Sequence, residues 1–114
     1  MHELSIAMSI LEIAQEEAEQ RGIKVGAVRV KLGALCGVVK DSLLFSYEVA
    51  SADTPLKGSR LVVEEVPVAV FCSRCQAQRP VQSIQLLCCA ECGAPTPEIV
   101  HGKELEVVAL EIQE

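Results

Sequence analysis

From Glu3 to Gln20 apolar residues return every three or four positions. Leu4, Ala7, Met8, Leu11, Ala14 and Ala18 form one stripe, and Ile6, Ile10 and Ile13 widen it. That period predicts an amphipathic helix with much of its circumference covered. Glu12, Glu16, Glu17 and Glu19 take the remaining positions, and Arg21-Gly22 supplies a terminal cation and a C-cap glycine. Lys24 to Gly33 then alternates, with Val28, Val30 and Leu32 to one side and Arg29 and Lys31 to the other, the mark of a half-buried strand. Gly33 to Gly37 breaks it. A second helix is predicted after Asp41, a residue type suited to an N-cap, through Leu43, Leu44, Phe45, Tyr47 and Val49. Loop chemistry fills Asp53 to Ser59. Valine-rich Arg60 to Val70 reads as a strand interrupted or bent at Pro67. Lys103 to Ile112 reads as a last strand, with Leu105, Val107 and Ala109 inward and Glu104 and Glu106 outward.

These elements predict an α+β fold in which two helices pack on a three-stranded sheet. Residues 1–70 with 101–114 make the main α/β domain, and a separate module, 71–100, is inserted before the last strand. The two strands that bracket the module are expected to pair as antiparallel neighbours.

Composition narrows the function. Half of the 114 residues are hydrophobic but only 3% are aromatic, so the core must be aliphatic. A net charge of −6 leaves no basic face for phosphates and argues against nucleic-acid binding. Every apolar run is far shorter than the ~20 residues that cross a bilayer, and no export signal opens the chain; the expectation is a cytoplasmic protein off the membrane. No nucleophile-and-base pair or phosphate loop is present, so no enzyme is expected.

The chemistry gathers in Phe71 to Gly93, FCSRCQAQRPVQSIQLLCCAECG. Cys72 with Cys75 and Cys89 with Cys92 are two Cys-x2-Cys pairs separated by 13 residues. Each pair lets one tight turn aim two thiolates at one ion, and two such turns complete the sulfur tetrahedron that Zn2+ favours. Gly93 follows the second pair where a positive φ is often needed; Gln76 stands in the equivalent place after the first. Cys88 adjoins Cys89 but leaves a three-residue gap to Cys92, so the register selects Cys89. Val81, Ile84, Leu86 and Leu87 are too few for an independent core, and metal binding, on the order of 10–16 kcal/mol in small zinc modules, is expected to supply the folding free energy. Disulfides or buried thiols are the competing reading, and a reducing compartment disfavours the first.

The opening Met1-His2-Glu3 admits two readings. A lone terminal histidine is ordinarily just solvated. The sharper reading is chelation: a free α-amine, the His2 amide and the His2 imidazole close fused rings on one ion, with the Glu3 amide or a nearby oxygen at the fourth corner. Nitrogen-rich planar sites suit Ni(II) or Cu(II).

With these motifs in view the chain resembles the HypA/HybF family of hydrogenase nickel-incorporation proteins. The likeness rests on the N-terminal MHE, VKLG at Val30 to Gly33, DSLLFSYE at Asp41 to Glu48, the two cysteine pairs with Gly93, and Gly102-Lys103-Glu104-Leu105. It implies a nickel metallochaperone that delivers Ni2+ to the [NiFe] hydrogenase large subunit during maturation. The nickel set would be Met1, His2 and Glu3, with Asp41 as either a ligand or a helix cap. Zn2+ at Cys72, Cys75, Cys89 and Cys92 would be structural. Implied partners are a hydrogenase accessory GTPase, the large-subunit precursor and urease maturation proteins, with the chain a monomer or weak homodimer. The rival from another class is a zinc-ribbon protein-interaction adaptor with no transferable metal. Three features depart from the family pattern. Ala34 stands where an acidic residue is common, Cys36 and Cys88 are extra thiols read as buried and inert, and His101 reads as a surface or hinge residue.

Overall fold

The computed structural model describes residues 3–96 and 98–113. In chain order the elements are α1 (Glu3–Arg21), β1 (Val25–Gly33), α2 (Lys40–Ser51), β2 (Arg60–Val66), β3 (Ala69–Cys72), β4 (Ala77–Pro80), β5 (Ile99–His101) and β6 (Leu105–Ile112). The fold is α+β, and it carries a second three-stranded sheet in addition to the expected one. By contacts the chain divides into two compact units. One holds the chain up to Lys31, Gly37–Glu64 and the chain from Glu106 onward; the other holds Leu32–Cys36 and Glu65–Leu105.

In the first unit α1 ends in a Schellman turn: Gly22 adopts φ +60, and Ile23 N–H and Gly22 N–H return to the Ala18 and Glu19 carbonyls. Its buried face is Ala7, Ile10, Leu11 and Ala14, whereas Leu4, Met8 and Ile13 remain about half exposed. The stripe legible in the sequence is wider than the face the fold uses, because packing against α2 decides which residues lose water. Ala27, Val28 and Val30 of β1 are buried on both faces, as its central place in the order β2-β1-β6 requires. With Leu43 and Tyr47 of α2 and Leu61 of β2 they form a core that is aliphatic apart from the Tyr47 ring, each large side chain contributing about 1.5–3 kcal/mol by burial.

Several expectations need correction. β2 and β6 do not pair with each other but lie on opposite edges with β1 between them; the antiparallel pairing across the cysteine module is made instead by β3, from Ala69, with β5. Of the two readings at Pro67 the interruption holds, and it divides the segment between two sheets, since β2 joins β1 while β3 pairs with β4 and β5. Asp41 is not the N-cap of α2. Val39 holds that position without a side-chain bond, and Asp41 sits exposed in the first turn, where its charge still suits the helix dipole. On β6, moreover, Val107 and Leu110 are the partly covered residues, while Leu105 and Ala109 face solvent.

Within the second unit the loop after β1 is tied down by main-chain bonds. Gly33, Ala34 and Leu35 donate to the Glu104, Val66 and Gly102 carbonyls. A methyl group on Gly33 would collide with the backbone of Gly102 and Glu104, so this crossing requires glycine. Sheet β4-β3-β5 then carries Cys72 at the end of β3, its Cα registered opposite Ala77.

Candidate metal centre

The two cysteine turns fold back on each other through main-chain bonds. Val81 bridges Cys89 and Cys88 bridges Pro95, while Ala90 N–H reaches the Pro80 carbonyl and Cys89 N–H the Ala94 carbonyl. Thr96, fully buried, donates from both its amide and its hydroxyl to the Leu87 carbonyl. These bonds bring Cys72, Cys75, Cys89 and Cys92 together with their ligand atoms all within 4.8 Å of one another. Cys88, one residue away, is not in that group.

Sγ of Cys72 lies 3.5 Å from Sγ of Cys92, and Sγ of Cys75 lies 3.8 Å from Sγ of Cys89. A tetrahedral Zn–S distance of about 2.3 Å sets sulfur–sulfur edges of about 3.8 Å, so the donor set fits zinc in number, element and size. Both turns pass through the left-handed region just beyond the second cysteine, Gln76 at φ +56 and Gly93 at φ +76. Glycine does this freely; for Gln76 the conformation costs roughly 1–2 kcal/mol, offset in part by its side-chain amide donating to the Ser73 carbonyl.

The electrostatics call for a cation. Cys89 is pushed down to about 7, first by the Cys92 backbone N–H, and Cys72 is lowered, first by the Cys75 N–H that lies 3.4 Å from its sulfur. Cys75 goes the other way, raised to about 11 because its hydrogen bond to Cys92 keeps the proton in place. Four sulfurs this close do not ionise together in the absence of a cation. Arg79 of β4 faces Cys75, and the contact pushes its own pKa further up. That guanidinium is the neighbouring positive charge, a role that sequence reading missed because Arg79 lies outside the Cys-x2-Cys pattern.

The other residues singled out in the sequence fall elsewhere. Met1 and His2 lie outside the described residues. Glu3 is the first residue of α1, and its carboxylate accepts the Val39 N–H at 3.3 Å, at the entrance to α2. Asp41 is two residues further on. His101 ends β5 and is exposed; its Nδ1 is 3.0 Å from the Glu104 carboxylate, which also accepts the Gly102 N–H at 2.6 Å. Cys36 is half-buried after β1, its N–H returning to the Gly33 carbonyl.

Comparison with known proteins agrees along the whole chain. Residues 1–112 match the family model described as hydrogenase/urease nickel incorporation, metallochaperone, hypA. Hydrogenase maturation factor HypA of Chloroflexus aurantiacus (strain J-10-fl) is 49% identical over 112 residues, covering 97% of this chain and 98% of that protein. The Roseiflexus sp. (strain RS-1) protein of the same name is 47% identical over 115 residues, covering 100% and 94%. Among solved structures, the solution structure of the Ni metallochaperone HypA from Helicobacter pylori aligns with a TM-score of 0.67 at 21% identity, over 98% of this chain and 97% of that one. A second HypA solution structure aligns at 0.74 and 22% identity, over 99% and 97%. At that identity the structural likeness concerns the fold.

Proposed function

The chain belongs to the HypA family of hydrogenase and urease nickel-incorporation metallochaperones, and from that premise we propose that it binds Ni(II) at its N-terminus and delivers it to the [NiFe] hydrogenase large-subunit precursor. The family is one of metallochaperones, not catalysts. In this reading the Met1 amine, the His2 amide and the His2 imidazole hold the ion, and Glu3 and Asp41 supply oxygen close by. The carrying observation is the hydrogen bond from Val39 N–H to the Glu3 carboxylate. It links the start of α1 to the start of α2, so the acid next to His2 and the acid in the first turn of α2 belong to one neighbourhood. Nitrogen donors of this kind favour Ni(II) over oxygen-loving cations. Amine and imidazole donors bind a metal only when deprotonated, so nickel affinity falls as acid protonates them.

Zn2+ is structural here, held by Cys72, Cys75, Cys89 and Cys92; four protein sulfurs close the coordination sphere and leave no position for exchange. Residues 71–100 form the zinc module and the remainder the nickel-handling domain. The partners of this cytoplasmic cycle are the accessory GTPase, the large-subunit precursor and urease maturation proteins.

The test is a calorimetric nickel titration of zinc-loaded protein, comparing the native N-terminus with one extended by a single glycine. The extension keeps every side chain but moves the amine out of its chelate ring, and binding is expected to collapse. Unchanged binding would place nickel elsewhere. No nickel binding by either form would leave the zinc-ribbon adaptor as the function.

A further inference from the structure

A groove of about 640 Å³ runs beside β6 and includes none of the four clustered cysteines. Its helical wall is Ile13, Glu17 and Arg21 of α1 with Ile23 just beyond, and its other wall is the run from Val107 to Leu110 with Ile112. Successive strand residues point to opposite faces of a sheet. A groove lined by four in a row therefore follows the edge of the strand, where main-chain N–H and C=O groups are offered, and not one face of it. β6 is an outer strand of the order β2-β1-β6. At eight residues, LEVVALEI, it is long for an edge, and it contains neither the proline nor the lysine that commonly blunts one. Leu105, Val108 and Ile112 are 38%, 45% and 60% exposed. The opposite edge differs: the groove there touches only the first three residues of β2, Arg60 to Val62.

Hydrogen-bonding groups in a row beside an apolar helix wall fit one kind of ligand, an extended chain that adds a strand. Charge selects among such chains. Arg21 is held by Glu17 at 2.9 Å and Arg29 by Glu111 at 3.7 Å. Glu17 and Arg21, the charged side chains of the lining, pair with each other, so the chain's net charge of −6 sets the sign that a ligand meets. A second copy of this chain brings −6 of its own and presents the same acidic strand, so self-pairing runs against like charge.

We propose that the β6 edge binds one extended, basic segment of a partner protein, with apolar side chains at alternate positions, as an added strand between β6 and the C-terminal half of α1. The proposal is independent of nickel binding. A blocked hexapeptide alternating lysine and valine serves as the probe, titrated into 15N-labelled, zinc-loaded protein, with a glutamate–valine hexapeptide as control. Amide shifts are expected to cluster at 105–112 and 13–23, with slower hydrogen exchange along β6 and no response to the acidic control. Val108→Lys, at an exposed site, is expected to weaken binding at least about tenfold by setting a cation on the edge. Ile13→Lys acts likewise from the helix wall, and both are read in protein whose remaining amide spectrum is unchanged. Scattered shifts, equal uptake of the acidic peptide or full affinity in both variants would overturn the proposal. A dimer in sedimentation that Val108→Lys dissolves, without peptide uptake, would overturn it too and give the edge to a second copy.

Discussion

Glu104 shows how much one side chain can organise. Its carboxylate accepts the Gly102 N–H and faces His101 Nδ1, just where the chain turns from β5 into β6 and where Gly102, at φ +117, packs against Val68. The Gly102 N–H, first among the causes, holds the Glu104 carboxyl below its ordinary value. A carboxyl lowered on folding stabilises the fold above its unfolded pKa, and that stabilisation is lost as pH falls through the folded value. Urea midpoints of the native protein and Glu104→Gln should therefore differ most near neutrality, native the more stable, and converge below the usual carboxylate range. A gap that is constant down to acid pH would show that the charge is not what matters. At the same scale, the sulfur register of Cys89 over Cys88 was legible from spacing. The left-handed backbone of Gln76 and the place of Arg79 were not, because both depend on how β4 returns past Cys75.

At the scale of elements, helix α1 was legible almost to the residue, since a 3.6 period with a terminal Arg-Gly is a local signal. The cap of α2 was not. Asp41 has the right side chain, but the chain enters the helix earlier, and the carboxylate that meets the entrance comes from α1 instead. Glu3→Ala should therefore weaken the union of α1 with α2. We expect a loss of about 0.5–1.5 kcal/mol in urea unfolding of zinc-loaded protein, the usual worth of one such hydrogen bond. The zinc content should be unchanged. A stability equal to the native protein's would mean that the Glu3 contact contributes nothing.

At the scale of the whole molecule, two compact units draw their order from different sources. The first buries Ala7, Ile10, Leu11, Val28, Val30, Leu43 and Tyr47. In the second, Ile84 and Leu86 are about half exposed, and two of the fully buried side chains are Cys72 and Cys89. Removing zinc, by chelator or by Cys75→Ser, should thus abolish amide protection across residues 71–96 while that of α1 and β1 persists. Hydrogen exchange read by mass spectrometry distinguishes this from the alternatives. Uniform loss would mean that the first unit cannot stand alone, and uniform retention would mean that the metal is not structural.

What the sequence determined by itself is what short-range chemistry decides: helix and strand periods, turns at glycine and proline, an aliphatic core, and four thiols spaced for one ion. What only the tertiary structure decided is partnership over distance. It set β1 between β2 and β6, divided Arg60 to Val70 between two sheets, chose which face of α1 is buried, and left the β6 edge open. Periodicity fixes the conformation of a segment. Which neighbour it meets depends on the competition of all segments for the same buried surface, and that is settled only when the chain is folded.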